Sequence, residues 1–130
     1  MLDESDKTLL DELGLTYSVF DDPQPNGTWT DIIISGYQLP SGFDHVAVDM
    51  LVRLPPGFPD AAPDNFWIAP PIRIARTRAF PRNADRTENR HDRTWQFFSR
   101  HLSATPWRPG IDDLRSWLNI IRRSLEEDGK

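Results

Sequence analysis

The sequence predicts an α+β domain: an antiparallel four-stranded meander sheet with an N-terminal helix, one long irregular loop and a C-terminal helix. Three observations predict it. Short β-branched and aromatic segments alternate with turn-forming residues through the first half. Nothing periodic runs from Pro70 to about Asp92. Near the C-terminus, Leu114, Trp117, Leu118, Ile121 and Leu125 share one helical face. At 130 residues the chain fits a single domain over its whole length.

The first helix is expected from about Ser5 to Leu13, with Ser5 as cap, Leu9, Leu10 and Leu13 as its apolar face, and Gly14 ending it. A strand from Thr16 to Phe20 follows, closed by the turn-rich Asp21–Gly27. Trp29 to Ser35 holds the run Ile32-Ile33-Ile34 and reads as the second strand. His45 to Leu54 alternates. Val46, Val48, Met50, Val52 and Leu54 take one face, and Ala47, Asp49, Leu51 and Arg53 the other. A proline-rich segment, Pro55 to Pro63, leads to a short strand at Asn65–Ala69. After the long loop, Thr94 to Phe98 returns to the core, and Trp95, Trp107 and Trp117 are expected inside. The final helix runs from about Asp112 to Glu127, with acidic residues at its start and Arg122 and Arg123 near its end.

Composition removes several classes of function. The chain has no cysteine, so disulfides, thiolate metal sites and a cysteine nucleophile are excluded. No apolar stretch reaches the ~20 residues of a membrane span, and the acidic N-terminus lacks the features of a signal peptide. A cytoplasmic protein with no membrane partner is expected. The net charge of -5 is unevenly placed. Eight arginines face three carboxylates between Ile72 and His101, which gives +5 there and -10 elsewhere. That polarity points to a charged partner surface. Nucleic acid is the weakest alternative, since the chain is acidic overall and has no RNA-binding stacking motif.

Leu54-Pro55-Pro56-Gly57-Phe58-Pro59-Asp60-Ala61-Ala62-Pro63 between two strands resembles the proline-stiffened crossing of ubiquitin-conjugating (UBC) enzymes. Trp107-Arg108-Pro109 before a helix is similar to the Trp-x-Pro step of the same fold. More closely, the chain resembles the bacterial group called prokaryotic UBC-like family E. The phrases Arg93-Thr94-Trp95-Gln96, Ser99-Arg100-His101 and Trp107-Arg108-Pro109-Gly110 add to that match. The resemblance implies a UBC-like fold whose long loop belongs to the active-site region. It implies partners as well: a ThiF-like activating enzyme, a ubiquitin-like protein and a JAB-type peptidase of the same pathway. It places partner contacts at Asp11 and Glu12 of the first helix and at Phe58 and Pro59.

In ubiquitin-conjugating enzymes, which the Trp-x-Pro step resembles, the catalytic cysteine lies eight residues before the tryptophan, and this position holds Ser99. The His-Pro-Asn tripeptide of the eukaryotic members is absent, although Asn83 and Asn89 lie in the right region. A hydroxyl lacks the thiolate fraction of cysteine, so an ester on Ser99 needs a base. His101 and His91 are the candidates, with Asp92 to orient either ring. No cofactor is expected. The three histidines lack ligand spacing, so no metal is expected either. Three functions stay open: a transferase working through an oxyester on Ser99, a non-catalytic UBC-like binding module, and a nucleic-acid binder.

Overall fold

Asp3, rather than Ser5, caps helix α1 (Glu4–Glu12): its carboxylate accepts the Asp6 N–H at 2.9 Å and the Ser5 hydroxyl at 2.8 Å. Leu9 and Leu10 are buried, whereas Leu13 is the C-cap and stays exposed. Gly14 follows in the left-handed region (φ +70°), as expected of a residue ending a helix. The structure, a computed structural model, describes residues 2–100 and 106–130.

The sheet has six strands among the described residues rather than four: β1 (Thr16–Gln24), β2 (Gly27–Gln38), β3 (Ala47–Leu54), β4 (Phe66–Ala69), β5 (Arg86–Arg90) and β6 (Arg93–Phe98). Their order is β1-β2-β3-β4-β6-β5, and every pair is antiparallel. Strand β1 runs on through Asp21–Gln24, because Pro25-Asn26 alone makes the turn and Gln24 pairs with Gly27. The end of the expected long loop is a strand too. Arg86–Arg90 pairs with Arg93–Phe97 through a two-residue turn. His91 and Asp92 form that turn at φ +52° and +58°, the geometry a tight hairpin requires.

The rest of the loop is anchored by one buried side chain. Gln96 accepts the Ile72 N–H at 2.8 Å and donates to the carbonyls of Ile72 (3.1 Å) and Ala84 (2.8 Å). With both amide ends satisfied, a glutamine can sit inside and act as a ladder partner for irregular chain. Ile72 and Ala84 are buried in the core as a result.

Helix α2 (Leu114–Asp128) starts at a capping box between Asp113 and Ser116. Its buried residues Leu114, Trp117, Ile121 and Leu125 meet Leu9 and Leu10 of α1 and the inner face of the sheet. Val48, Met50, Val52 and Leu54 supply that face as expected, but Val46 precedes β3 and is 77% exposed.

The opposite face carries a second small core of Leu51, Trp67, Ala69 and Trp95, flanked by Ile33 and Phe97. The sequence assigned Leu51 to the outer side of its strand, and it lies there, yet it is fully buried. Arginines stack over this face: Arg53 on Trp29, Arg90 on Trp67, Arg86 on Phe97 and Arg93 on Trp95, at 4.6 to 5.5 Å from the ring centres. Trp95 and Trp117 are buried as expected. Trp107 is only partly so, held by its indole N–H donating to the Pro59 carbonyl at 2.7 Å.

Candidate functional site

Ser99 is the first residue past β6, and its main chain is pinned on both sides. Its N–H donates to the Asn83 carbonyl at 3.1 Å, and the next N–H, of Arg100, donates to Asn65 Oδ1 at 2.9 Å. The Arg100 side chain turns into the protein and is 5% exposed overall. It donates to Asp128 (2.6 Å) and Ser124 (2.6 Å) on α2 and to the Arg82 carbonyl (2.7 Å). The residues before and after Ser99, Phe98 and Arg100, are thus both buried, and Ser99 itself is partly exposed. This seat joins β4, β6, the loop before β5 and the C-terminal helix at one point.

One expected base and the carboxylate expected to orient it lie elsewhere. His91 and Asp92 occupy the β5–β6 turn, at the far end of β6 from Ser99, roughly 20 Å away at about 3.3 Å per strand residue. His91 belongs to a different network. Its Nε2 is 2.7 Å from Asp31 Oδ2, its ring lies 4.8 Å from that of Phe20, and Asp31 also accepts from Arg53 Nε at 2.8 Å. Arg53 reaches Asp22 as well. These contacts hold the hairpin tip over β1 and β2 and curl the sheet. Sequence reasoning missed them because Asp31 and His91 are 60 positions apart. His101 lies outside the described residues.

Of the residues expected to meet a partner, Glu12 and Pro59 border one cleft of about 430 Å³, with Asp3, Asp6, Asp113 and Arg115. Phe58 packs beside Trp107 at 6.2 Å between ring centres, while Asp11 accepts from the Tyr17 hydroxyl at 3.3 Å. Burial, together with the charges of Asp3 and Asp113, pushes the Asp6 carboxyl up to about 6 from its ordinary 3.8. Between those values the folded chain holds a proton that the unfolded chain has released, so stability falls as pH rises through that window. Asp6→Asn is expected to flatten this limb: the variant should melt above wild type near neutral pH and match it near pH 4. Thermal scans across that range check it, and an unchanged slope in the variant would remove Asp6 from the account.

A roomier cleft of about 500 Å³, lined by Leu13, Leu15, Tyr37, Leu118 and Arg122 among others, lies between the end of α1, β2 and α2, away from Ser99. No group of three or more metal-ligating side chains gathers among the described residues. No helix among them is long and apolar enough to cross a membrane.

The family model for prokaryotic E2 family E matches residues 2–128. The chain belongs to that family. No curated protein and no solved structure matches it. Membership carries a role of the ubiquitin-conjugation type and, with it, activating-enzyme and ubiquitin-like partners. Within this family E chain, Ser99 lies eight positions before Trp107, and the sequence contains no cysteine.

Proposed function

We propose that this protein receives a ubiquitin-like protein from a ThiF-like activating enzyme and carries it as an oxyester on Ser99, in a pathway that also uses a JAB-type peptidase. The observation that supports the reading is the seat of Ser99, a partly exposed residue with both adjoining peptide N–H groups bonded to asparagines. A fixed main chain holds a nucleophile in one orientation, which offsets part of the entropic cost of a bimolecular transfer. Incubation with the activating enzyme, the ubiquitin-like protein and ATP is expected to give an adduct that hydroxylamine cleaves. Ser99→Ala should abolish it. An identical adduct on Ser99→Ala would assign the linkage to another residue.

The distance of His91 from Ser99 favours a second reading, a binding module that holds the two partners without carrying either. Wild-type protein that binds both partners and forms no adduct would establish it.

Docking in either case uses α1 and the adjoining cleft. Asp3, Asp6, Glu12 and Asp113 gather there against Arg115, so the complementary surface is basic. Reversing charge at Asp11 and Glu12 together is expected to weaken activating-enzyme binding about tenfold or more at low salt, chiefly through a slower association rate. Unchanged affinity in a calorimetric titration would place the docking surface elsewhere.

A further inference from the structure

The roomier cleft, between the end of α1, β2 and α2, joins an apolar wall to a cation that the protein leaves unmatched. Its volume of about 500 Å³ is that of a small-molecule site. Leu13, Leu15, Tyr37 and Leu118 supply the apolar wall. Leu15, Tyr37 and Leu118 are anchored in the main core, while Leu13 stays 47% exposed. Two lining glycines keep the space open. Gly14 ends α1 at φ +70°, and Gly36 lies in a bulge of β2 at φ +68°; a Cβ on either would meet nothing within 4 Å. The bulge is fixed in place. The Gly36 N–H donates to Asp49 Oδ1 at 3.1 Å, and the Gly36 carbonyl accepts from Gln38 Nε2 at 3.2 Å.

Arg122 is the one charged residue on this lining among the described residues. Its Nη1 donates to the Gln38 carbonyl at 2.7 Å, a contact from α2 to β2 that fixes the guanidinium. Among the described residues no carboxylate pairs with Arg122, and its Nε and Nη2 have no protein partner. Neither nitrogen is buried, so both are open to a ligand. These two nitrogens form one edge of the guanidinium, the fork that takes both oxygens of a carboxylate in parallel bonds. The chain carries a net charge of -5, yet no Asp or Glu stands on the lining to repel an anion or to compete for the fork. A ligand with two or more charges would leave the excess against leucine. A neutral ligand would leave the fork to water. The match is a single carboxylate on an aliphatic body.

We propose that this cleft binds an aliphatic monocarboxylate, a medium-chain fatty acid, with its chain along Leu13, Leu15 and Leu118 and its carboxylate on Nε and Nη2 of Arg122. The chain covers the exposed Leu13 and removes apolar surface from water. The carboxylate completes the guanidinium whose other end already holds β2. A bound acid thereby ties the end of α1 to β2 and α2, and occupancy stabilises the folded chain by mass action. This site stands apart from the oxyester reading, since neither the cleft nor its test involves Ser99.

Octanoate, kept below its micelle concentration, is titrated into the isotope-labelled full chain and followed by NMR, with octanol and octylamine as matched ligands. Octanoate is expected to shift the Leu13 and Leu118 methyl signals and the Arg122 Nε–H signal saturably, and octylamine is not. Arg122→Gln should weaken octanoate binding about tenfold and leave octanol binding unchanged, because only the charge-assisted fork is lost. Leu13→Ala, at an exposed position outside the core, should weaken both about threefold while the protein stays folded. Equal affinity of octanoate for wild type and Arg122→Gln, or shifts confined to another surface, would overturn the proposal. Tighter binding of acetyl-Leu-Leu-Glu amide than of octanoate at the same signals would overturn it in favour of a protein partner. Cleft signals that move with protein concentration alone would overturn it in favour of a second copy of the chain.

Discussion

Asp128→Asn is expected to lower the unfolding free energy by about 3–5 kcal/mol, because it leaves the Arg100 guanidinium buried beside a neutral partner. Both side chains of this pair are 6% exposed, and the 2.6 Å contact is backed by Ser124 and the Arg82 carbonyl. For a chain of this length the loss corresponds to on the order of 10–20 °C in melting midpoint. The double variant Arg100→Met/Asp128→Leu should recover most of that stability, since two apolar side chains carry no uncompensated charge. It should not recover the position of Ser99, whose C-terminal neighbour is then held by Asn65 alone. Denaturant unfolding of the three proteins is the check. A loss under about 1 kcal/mol for Asp128→Asn is what an exposed pair would give, and would contradict the burial.

Gly42→Ala should be nearly as damaging. Gly42 sits at φ +108°, and a Cβ there would lie 2.1 Å from the Gly129 carbonyl oxygen. Neither atom can yield cheaply, because both belong to backbone that is fixed elsewhere. The Gly42 carbonyl accepts from Ala75, and Arg76 bonds the Lys130 carbonyl next to Gly129. The end of α2 would have to lift from Ser41–Phe43, carrying Asp128 away from Arg100. We expect a loss of about 2–4 kcal/mol, combining backbone strain with the displaced contact. Gly14→Ala is the internal control: its φ of +70° is similarly unusual, but a Cβ meets nothing within 4 Å. Only the conformational cost of about 1 kcal/mol remains there. Equal losses in the two variants would show that the Gly42–Gly129 approach is not close.

Much of this architecture was legible in the residues. Both helices declare themselves by apolar spacing, β2 by its β-branched run, β3 by alternation and β4 by a short apolar run, all three falling in a buried meander. The β5–β6 hairpin was hidden because Arg86–Arg90 is wholly polar and stays largely exposed, and because its turn is His-Asp without glycine. Its strand character comes from pairing with β6 and from arginine stems lying on aromatic rings, neither of which leaves a period-two apolar pattern. Leu51 illustrates the same limit. Its outward register was correct, and its burial depended on a hairpin that the sequence did not reveal.

The site was legible in part for a different reason. Position 99 follows from its spacing to Trp107, a local quantity. What holds Ser99 is non-local: Asn65 is 34 positions earlier, Asn83 is 16 earlier, and Asp128 is 28 beyond Arg100. Two residues near in sequence, His91 and Asp92, proved distant because a strand separates them from Ser99. Strand extension moves neighbours apart faster than any other regular structure, at about 3.3 Å per residue.

Ser99→Cys is the most direct measurement of whether this seat is a carrier site. Supplied with activating enzyme, ubiquitin-like protein and ATP, the variant is expected to exchange the hydroxylamine-sensitive adduct for one that a reducing thiol removes, formed faster because a thiolate is the better nucleophile. A folded Ser99→Cys protein that binds the loaded activating enzyme yet never acquires a thiol-labile adduct would contradict the account.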